Sequence, residues 1–272
     1  LRDVTARAAV AAPGAQLAGF VMSLPKSPFI RRAAVLGAGV MGAQIAAHLV
    51  NAGVQAVLFD LTTTTPAGAD PAAIARRGID GLRKLDPSPL AVASVADRIV
   101  GADYDHDLAR LADCDLVIEA IAERTDWKHD LYRRIAPHLA SHAILASNTS
   151  GLSIAELAQA LPADVRPRFC GVHFFNPPRY MHLVELIPTP DSAPAMLDAL
   201  ETFLVTTLGK GVVRAKDTPN FIANRVGTMS ILAAFHHTQR LGLGFDEVDA
   251  ITGTRIGRPK SATYRTADVV GL

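Results

Sequence analysis

The sequence predicts a doubly wound α/β fold, a parallel sheet with helices on both faces, followed by the start of an all-helical piece. Three observations carry that expectation. Short apolar runs alternate with segments of helical period from Ile30 to about Arg214. A glycine-rich turn joins the first run to the first helix. Beyond Pro219 only the helical period remains. Strands that alternate with helices belong to a parallel sheet, because each parallel pair needs a crossover connection.

The elements follow in order. Residues 32–36 read as a strand that ends in glycines, and residues 41–51 as a helix with Ile45, Leu49 and Val50 near one side and Gly53 as its stop. Residues 56–59 are the next strand, closed by Asp60. Residues 62–70, with Pro66 and Gly68, read as a loop, and residues 71–85 as a helix that Pro87 and Pro89 terminate. Further strands are expected at 115–118, 143–146, 169–175, 183–187 and 211–213. A helix over 126–139 carries Trp127, Leu131 and Ile135 at helical spacing, the mark of a core stripe. Ser153 and Glu156 have capping-box spacing and open another helix; a further one covers 192–208. The chain thus divides into a disordered extension (1–29), a nucleotide-binding domain (30–214) and a partial helical domain (215–272).

Composition excludes several classes. A 272-residue chain that is 49% hydrophobic can bury a sizeable core, and a net charge of +1 gives no footprint for nucleic acid. No apolar run reaches the ~18 residues of a membrane span. Cys114 and Cys170 lie in apolar runs and read as buried thiols, which suits a reducing, cytoplasmic setting. The acids of 103–107 open like a calcium loop. Leu108 and Cys114 occupy the positions that need glycine and glutamate, and no histidine grouping offers ligand spacing, so no metal is expected.

The turn is Gly37-Ala-Gly39-Val40-Met41-Gly42, set between a strand and a helix as a dinucleotide fingerprint requires. Gly37 permits the tight turn, Gly39 lets the backbone approach a pyrophosphate, and Gly42 allows close helix–sheet packing in this Rossmann-type unit. Asp60 follows Gly42 by 18 residues, and its carboxylate can accept from both ribose hydroxyls while repelling a 2′-phosphate. Leu61 and Thr62 supply no base, so NAD is the expected cofactor.

Hydride chemistry also needs a base for an alcohol proton and donors for the forming carbonyl. His173 ends an apolar strand, where open α/β sheets bind ligands, and Glu185 interrupts the next apolar run, where an unpaired carboxylate is costly. Pairing the two removes that cost and fixes the imidazole tautomer.

Five segments, taken together, resemble the L-3-hydroxyacyl-CoA dehydrogenase family. They are Gly37 to Gly42, Ser147-Asn-Thr-Ser-Gly151, His173-Phe-Phe-Asn-Pro177, Leu183-Val-Glu185 and Lys216-Asp-Thr-Pro-Asn-Phe-Ile-Ala-Asn-Arg225. The likeness runs from about Ile30 to Leu272 and looks closest to bacterial multifunctional fatty-oxidation proteins. It implies His173 as catalytic base, Glu185 as its partner, and Ser150 and Asn224 as holders of the substrate oxygen. It also implies a pocket role for Asn176 and a place near the nicotinamide for Glu119. Implied partners are an acyl-CoA substrate, an enoyl-CoA hydratase module in the complete protein, and a second copy, where the full helical domain is present, to form a homodimer. The family's helical domain runs on past the position of Leu272. A truncated, inactive NAD-binding fragment or assembly subunit is therefore the alternative reading.

Overall fold

The computed structural model describes residues 30–64 and 70–270. The extension over 1–29 and the Pro66–Gly68 stretch of the first long loop lie outside the described residues. Among the described residues eight strands form one sheet: β1 (Arg32–Leu36), β2 (Gln55–Asp60), β3 (Ile99–Asp103), β4 (Leu116–Glu119), β5 (Ile144–Ser147), β6 (Phe169–Phe174), β7 (Leu183–Pro188) and β8 (Gly211–Arg214). Their order across the sheet is β3-β2-β1-β4-β5-β6-β7-β8, so the chain reverses direction of travel between β1 and β4. That switch point is where open α/β sheets form their ligand crevice.

Helices cover both faces. On one lie α1 (Val40–Asn51), α2 (Ala73–Leu82) and α5 (Pro194–Thr206), and on the other α3 (Thr125–Ile135) and α4 (Ile154–Ala158). The strands are buried on both sides, which explains why they read as continuous apolar runs rather than alternating ones. After β8 come α6 (Ala223–Leu241), α7 (Phe245–Thr252) and α8 (Tyr264–Val270). Gly242 closes α6 in the left-handed conformation, φ 63°.

Three features differ from the sequence expectation. β3 is an additional strand at the sheet edge; Gly101 at its centre weakens the apolar signal. β7 runs antiparallel to β6 in an otherwise parallel sheet. Residues 175–182 between them contain no helix, and so short a link turns the chain back rather than crossing it over. The third is Trp127, which is 50% exposed while Leu131 and Ile135 are buried. The buried face of α3 is instead Lys128, Leu131, Tyr132 and Ile135.

His48 on α1 hydrogen-bonds the Leu208 carbonyl through Nε2 at 3.1 Å and ties that helix to the turn after α5. Burial and the Lys210 charge push its imidazole down to about 4, against a smaller upward pull from the Leu208 carbonyl. An unfolded histidine titrates near 6.5. The folded value is the lower one, so this contribution is whole above about pH 6.5 and is lost as pH falls toward 4. Urea unfolding of the wild type and of His48→Leu at pH 7 and pH 4.5 tests this. The wild type is the more stable at pH 7, and acid narrows the gap by about 2–3 kcal/mol. An unchanged gap contradicts the assignment.

Candidate active site

The crevice begins at the end of β1. Gly37 turns the chain with φ +104°, and a Cβ there would lie 2.8 Å from the Ala120 carbonyl oxygen. A Cβ on Gly42 would sit 1.8 Å from the Gly37 carbonyl oxygen, so only glycine lets α1 pack against the turn. Gly39, which precedes the first residue of α1, has open space where a Cβ would point. The first turn of α1, with Val40 exposed and Met41 half-buried, thus presents free N–H groups to the crevice. Asp60 ends β2, where one carboxylate oxygen accepts the Ala38 N–H at 2.6 Å and the other the Leu61 N–H at 2.7 Å.

Gly37, Gly39 and Asp60 border a cleft of about 540 Å³. Among the described residues the one base on its wall, Arg134, is committed to the Tyr104 carbonyl at 2.6 Å and to the Asp105 carboxylate. A helix N-terminus for a pyrophosphate, an acid for a ribose and no free base for a 2′-phosphate fit NAD.

The second cluster lies at the carboxyl end of β6. The antiparallel register sets His173 directly opposite Glu185, which puts both side chains on the same sheet face. His173 Nδ1 donates to Glu185 Oε2 at 2.8 Å with both side chains buried, which leaves Nε2 for a substrate. The ring is flanked by Phe175 and Phe221, with centroids at 4.3 and 5.8 Å. The other oxygen of Glu185 accepts the N–H groups of Ile222 and Ala223 at 2.9 and 2.8 Å. Glu185 therefore also caps α6. Asn224, one residue on, donates its amide to the Ser150 carbonyl at 3.4 Å. His173, Glu185, Asn224 and Ser150 are joined into one hydrogen-bonded constellation through the first turn of α6.

Two carboxylates, one at the end of β4 and one just beyond it, have different fates. Glu119, expected beside the nicotinamide, is fully enclosed. Its oxygens accept from Lys128 Nζ at 2.5 Å, Tyr132 at 2.8 Å, Ser147 at 2.7 Å and the Ile121 N–H at 2.8 Å. Burial, with the Glu119 charge, holds the Tyr132 phenol well above its usual range, so it stays a donor. With four donors on it and no exposed surface, Glu119 braces the loop ends of β4 and β5 rather than meeting a ligand directly.

Glu123 is the exposed acid, and the sequence reading missed it. It accepts from the Ser150 N–H, from Ser150 Oγ at 2.6 Å and from Thr149 Oγ1 at 2.7 Å. Burial alone would raise its pKa, but these bonds and the nearby Lys128 charge hold it below the usual carboxylate range. Ser150 Oγ must turn from Glu123 before it can donate to a substrate oxygen. An acid placed just past the carboxyl end of a central strand was the available signal.

Asn176, the expected pocket residue, accepts from Gln44 on α1 at 3.3 Å. Asn148 Oδ1 accepts the Phe174 N–H at 2.9 Å and fastens the Ser-Asn-Thr-Ser turn to β6. Among the described residues, no three His, Cys, Asp or Glu side chains could hold a metal ion, and no helix is long and apolar enough to cross a membrane.

Residues 32–218 match the profile of the 3-hydroxyacyl-CoA dehydrogenase, NAD binding domain. The chain belongs to the 3-hydroxyacyl-CoA dehydrogenase family. It is 43% identical over 243 residues to a probable 3-hydroxyacyl-CoA dehydrogenase of Deinococcus radiodurans, covering 89% of this chain and 70% of that protein. It is 38% identical over 242 residues to a putative fatty acid oxidation complex trifunctional enzyme of Rickettsia prowazekii, covering 89% of this chain and 33% of that one. The solved (S)-3-hydroxybutyryl-CoA dehydrogenase PaaH1 of Ralstonia eutropha superposes with a TM-score of 0.68 at 31% identity, over 85% of this chain and 79% of that one. The cofactor of this dehydrogenase domain is NAD.

Two outcomes follow for the dehydrogenase. Asp60→Ala removes the carboxylate at the cleft mouth and the prop of the Gly37–Gly39 turn, so calorimetry should show NAD affinity falling about tenfold or more and the preference over NADP shrinking. Unchanged binding of both cofactors contradicts that role. Lys128→Met strands the buried Glu119 charge and should cost about 3–5 kcal/mol in urea unfolding at pH 7. A loss below about 1 kcal/mol would mean the pair is dispensable.

Proposed function

We propose that this chain oxidises an L-3-hydroxyacyl-CoA to the 3-ketoacyl-CoA with NAD, as a step of fatty-acid β-oxidation. The observation that carries the reading is the buried His173–Glu185 hydrogen bond at 2.8 Å, set beside the Ser150–Asn224 contact at the carboxyl edge of the sheet.

Bound NAD supplies the acceptor for the hydride that leaves C3 of the substrate. Gly39, Val40 and Met41, on the turn that Gly37 and Gly42 shape, would hold its pyrophosphate, and Asp60 its ribose. His173 Nε2 takes the 3-hydroxyl proton as the C–O bond becomes a carbonyl. Glu185 keeps Nδ1 protonated and steadies the imidazolium that results. Ser150 and Asn224 hold the reacting oxygen in place. Glu123, against Ser150 and close to Lys128, orients that serine.

The name of the Rickettsia relative, a fatty acid oxidation complex trifunctional enzyme, supports the β-oxidation setting and a longer complete protein with further modules. A row of exposed apolar residues on α6, Val226, Met229 and Leu232, supports pairing of two copies. Cys114 and Cys170 are buried free thiols pushed up to about 11 and 12 by burial, which suits a reducing, cytoplasmic compartment.

The spectrophotometric loss of NADH with acetoacetyl-CoA tests the activity. His173→Ala should lower kcat by about 10²–10⁴-fold while NAD affinity is kept. Turnover close to wild type in that variant removes His173 from the chemistry. No turnover in the wild type, with NAD still bound, favours the inactive-fragment reading.

A further inference from the structure

Trp127 is the single tryptophan of the chain, and it stands half exposed. The helix that carries it serves two surfaces. Trp127, Asp130, Leu131 and Arg134, spaced i, i+3, i+4 and i+7, form one wall of the cleft that begins at Gly37 and Asp60. Leu61, next to Asp60, also lines the cleft and is 64% exposed. Two large apolar side chains left in water on the walls of one cleft are the lining of a ligand slot.

The indole is braced. The Arg124 guanidinium lies over the Trp127 ring, 4.6 Å from its centroid, and is itself held by Asp126 through hydrogen bonds of 3.1 and 2.6 Å. Arg124 covers one side of the indole, while Trp127 itself lines the cleft. That arrangement presents a fixed aromatic plane beyond the acid that takes the ribose.

We propose that Trp127 is the stacking surface for the adenine ring of bound NAD, and hence a residue that sets cofactor affinity. The proposal rests on the cofactor reading of the cleft and adds which wall the base meets. The base would extend from the ribose at Asp60 into the part of the cleft that Leu61 and Trp127 line. Removing an aromatic ring from beneath a base weakens binding by roughly 5- to 150-fold. Trp127 thereby does for the adenine end what Gly39 does for the pyrophosphate.

Adenosine monophosphate is the suitable probe, because it lacks the nicotinamide ring, whose reduced form would quench indole emission by energy transfer without any stacking. Titrating it into the wild-type protein should change the Trp127 emission saturably, with the same midpoint as calorimetry and in competition with NAD. Trp127→Ala should raise the dissociation constants of NAD and of the monophosphate about tenfold. Trp127→Phe, which keeps an aromatic face, should stay within about threefold of wild type. Monophosphate binding by calorimetry with flat emission overturns the proposal, and this wild-type experiment needs no variant to fold. So does a Trp127→Ala protein that binds as tightly as wild type, or a Trp127→Phe protein as weak as the alanine variant. If calorimetry finds neither NAD nor the monophosphate bound to wild type, the cofactor reading itself fails and the proposal with it.

Discussion

Glu185 serves two structures at once. One carboxylate oxygen accepts from His173 and the other from the first turn of α6. A buried carboxylate costs several kcal/mol unless its lone pairs are taken, and here the imidazole and two backbone N–H groups take them. The His173 imidazole and the helix that brings Asn224 are therefore fixed by the same charge. A change that moved α6 would disturb the orientation of His173, and one that removed the imidazole would leave the cap of α6 partly unbalanced. The antiparallel turn between β6 and β7 makes this possible, since it sets positions 173 and 185 opposite each other in the register.

A second buried charge supports the neighbouring turns. Glu119 and Lys128 pair in the core at 2.5 Å, and Tyr132 and Ser147 complete the shell around the carboxylate. Ser147 opens the turn that carries Ser150, and Lys128 lies 3.7 Å from Glu123. The buried pair thus fixes the end of β5, and Glu123 fixes Ser150 on top of it. His173 thus stands near the end of β6 and Ser150 on a turn braced against the end of β5, positions that rigid elements hold in place.

Much of this was legible in the sequence. Gly37 and Gly42 were legible because a tight turn and a close helix contact each demand glycine, and Asp60 was legible as the acid that ends β2. His173 and Glu185 were legible as a charge that an apolar run cannot carry alone. What escaped depended on three-dimensional partners. The direction of β7 follows from a connection too short to cross over, and β3 is a short edge strand weakened by Gly101. Glu119 and Glu123 look alike in sequence, four residues apart. Only the positions of Lys128 and Tyr132 reveal which is enclosed. Trp127 obeys the helical period of a core residue, yet the cleft opens along its side of α3.

If the imidazole and the carboxylate act as one unit, their losses are not additive. A double-mutant cycle on kcat/KM with His173→Ala and Glu185→Gln measures this directly, glutamine keeping an oxygen for the α6 cap. The expected result is a large loss from Glu185→Gln when His173 is present and almost none once His173 is gone. Losses that simply multiply would show that Glu185 acts independently of the base, and the account of a paired imidazole would be wrong.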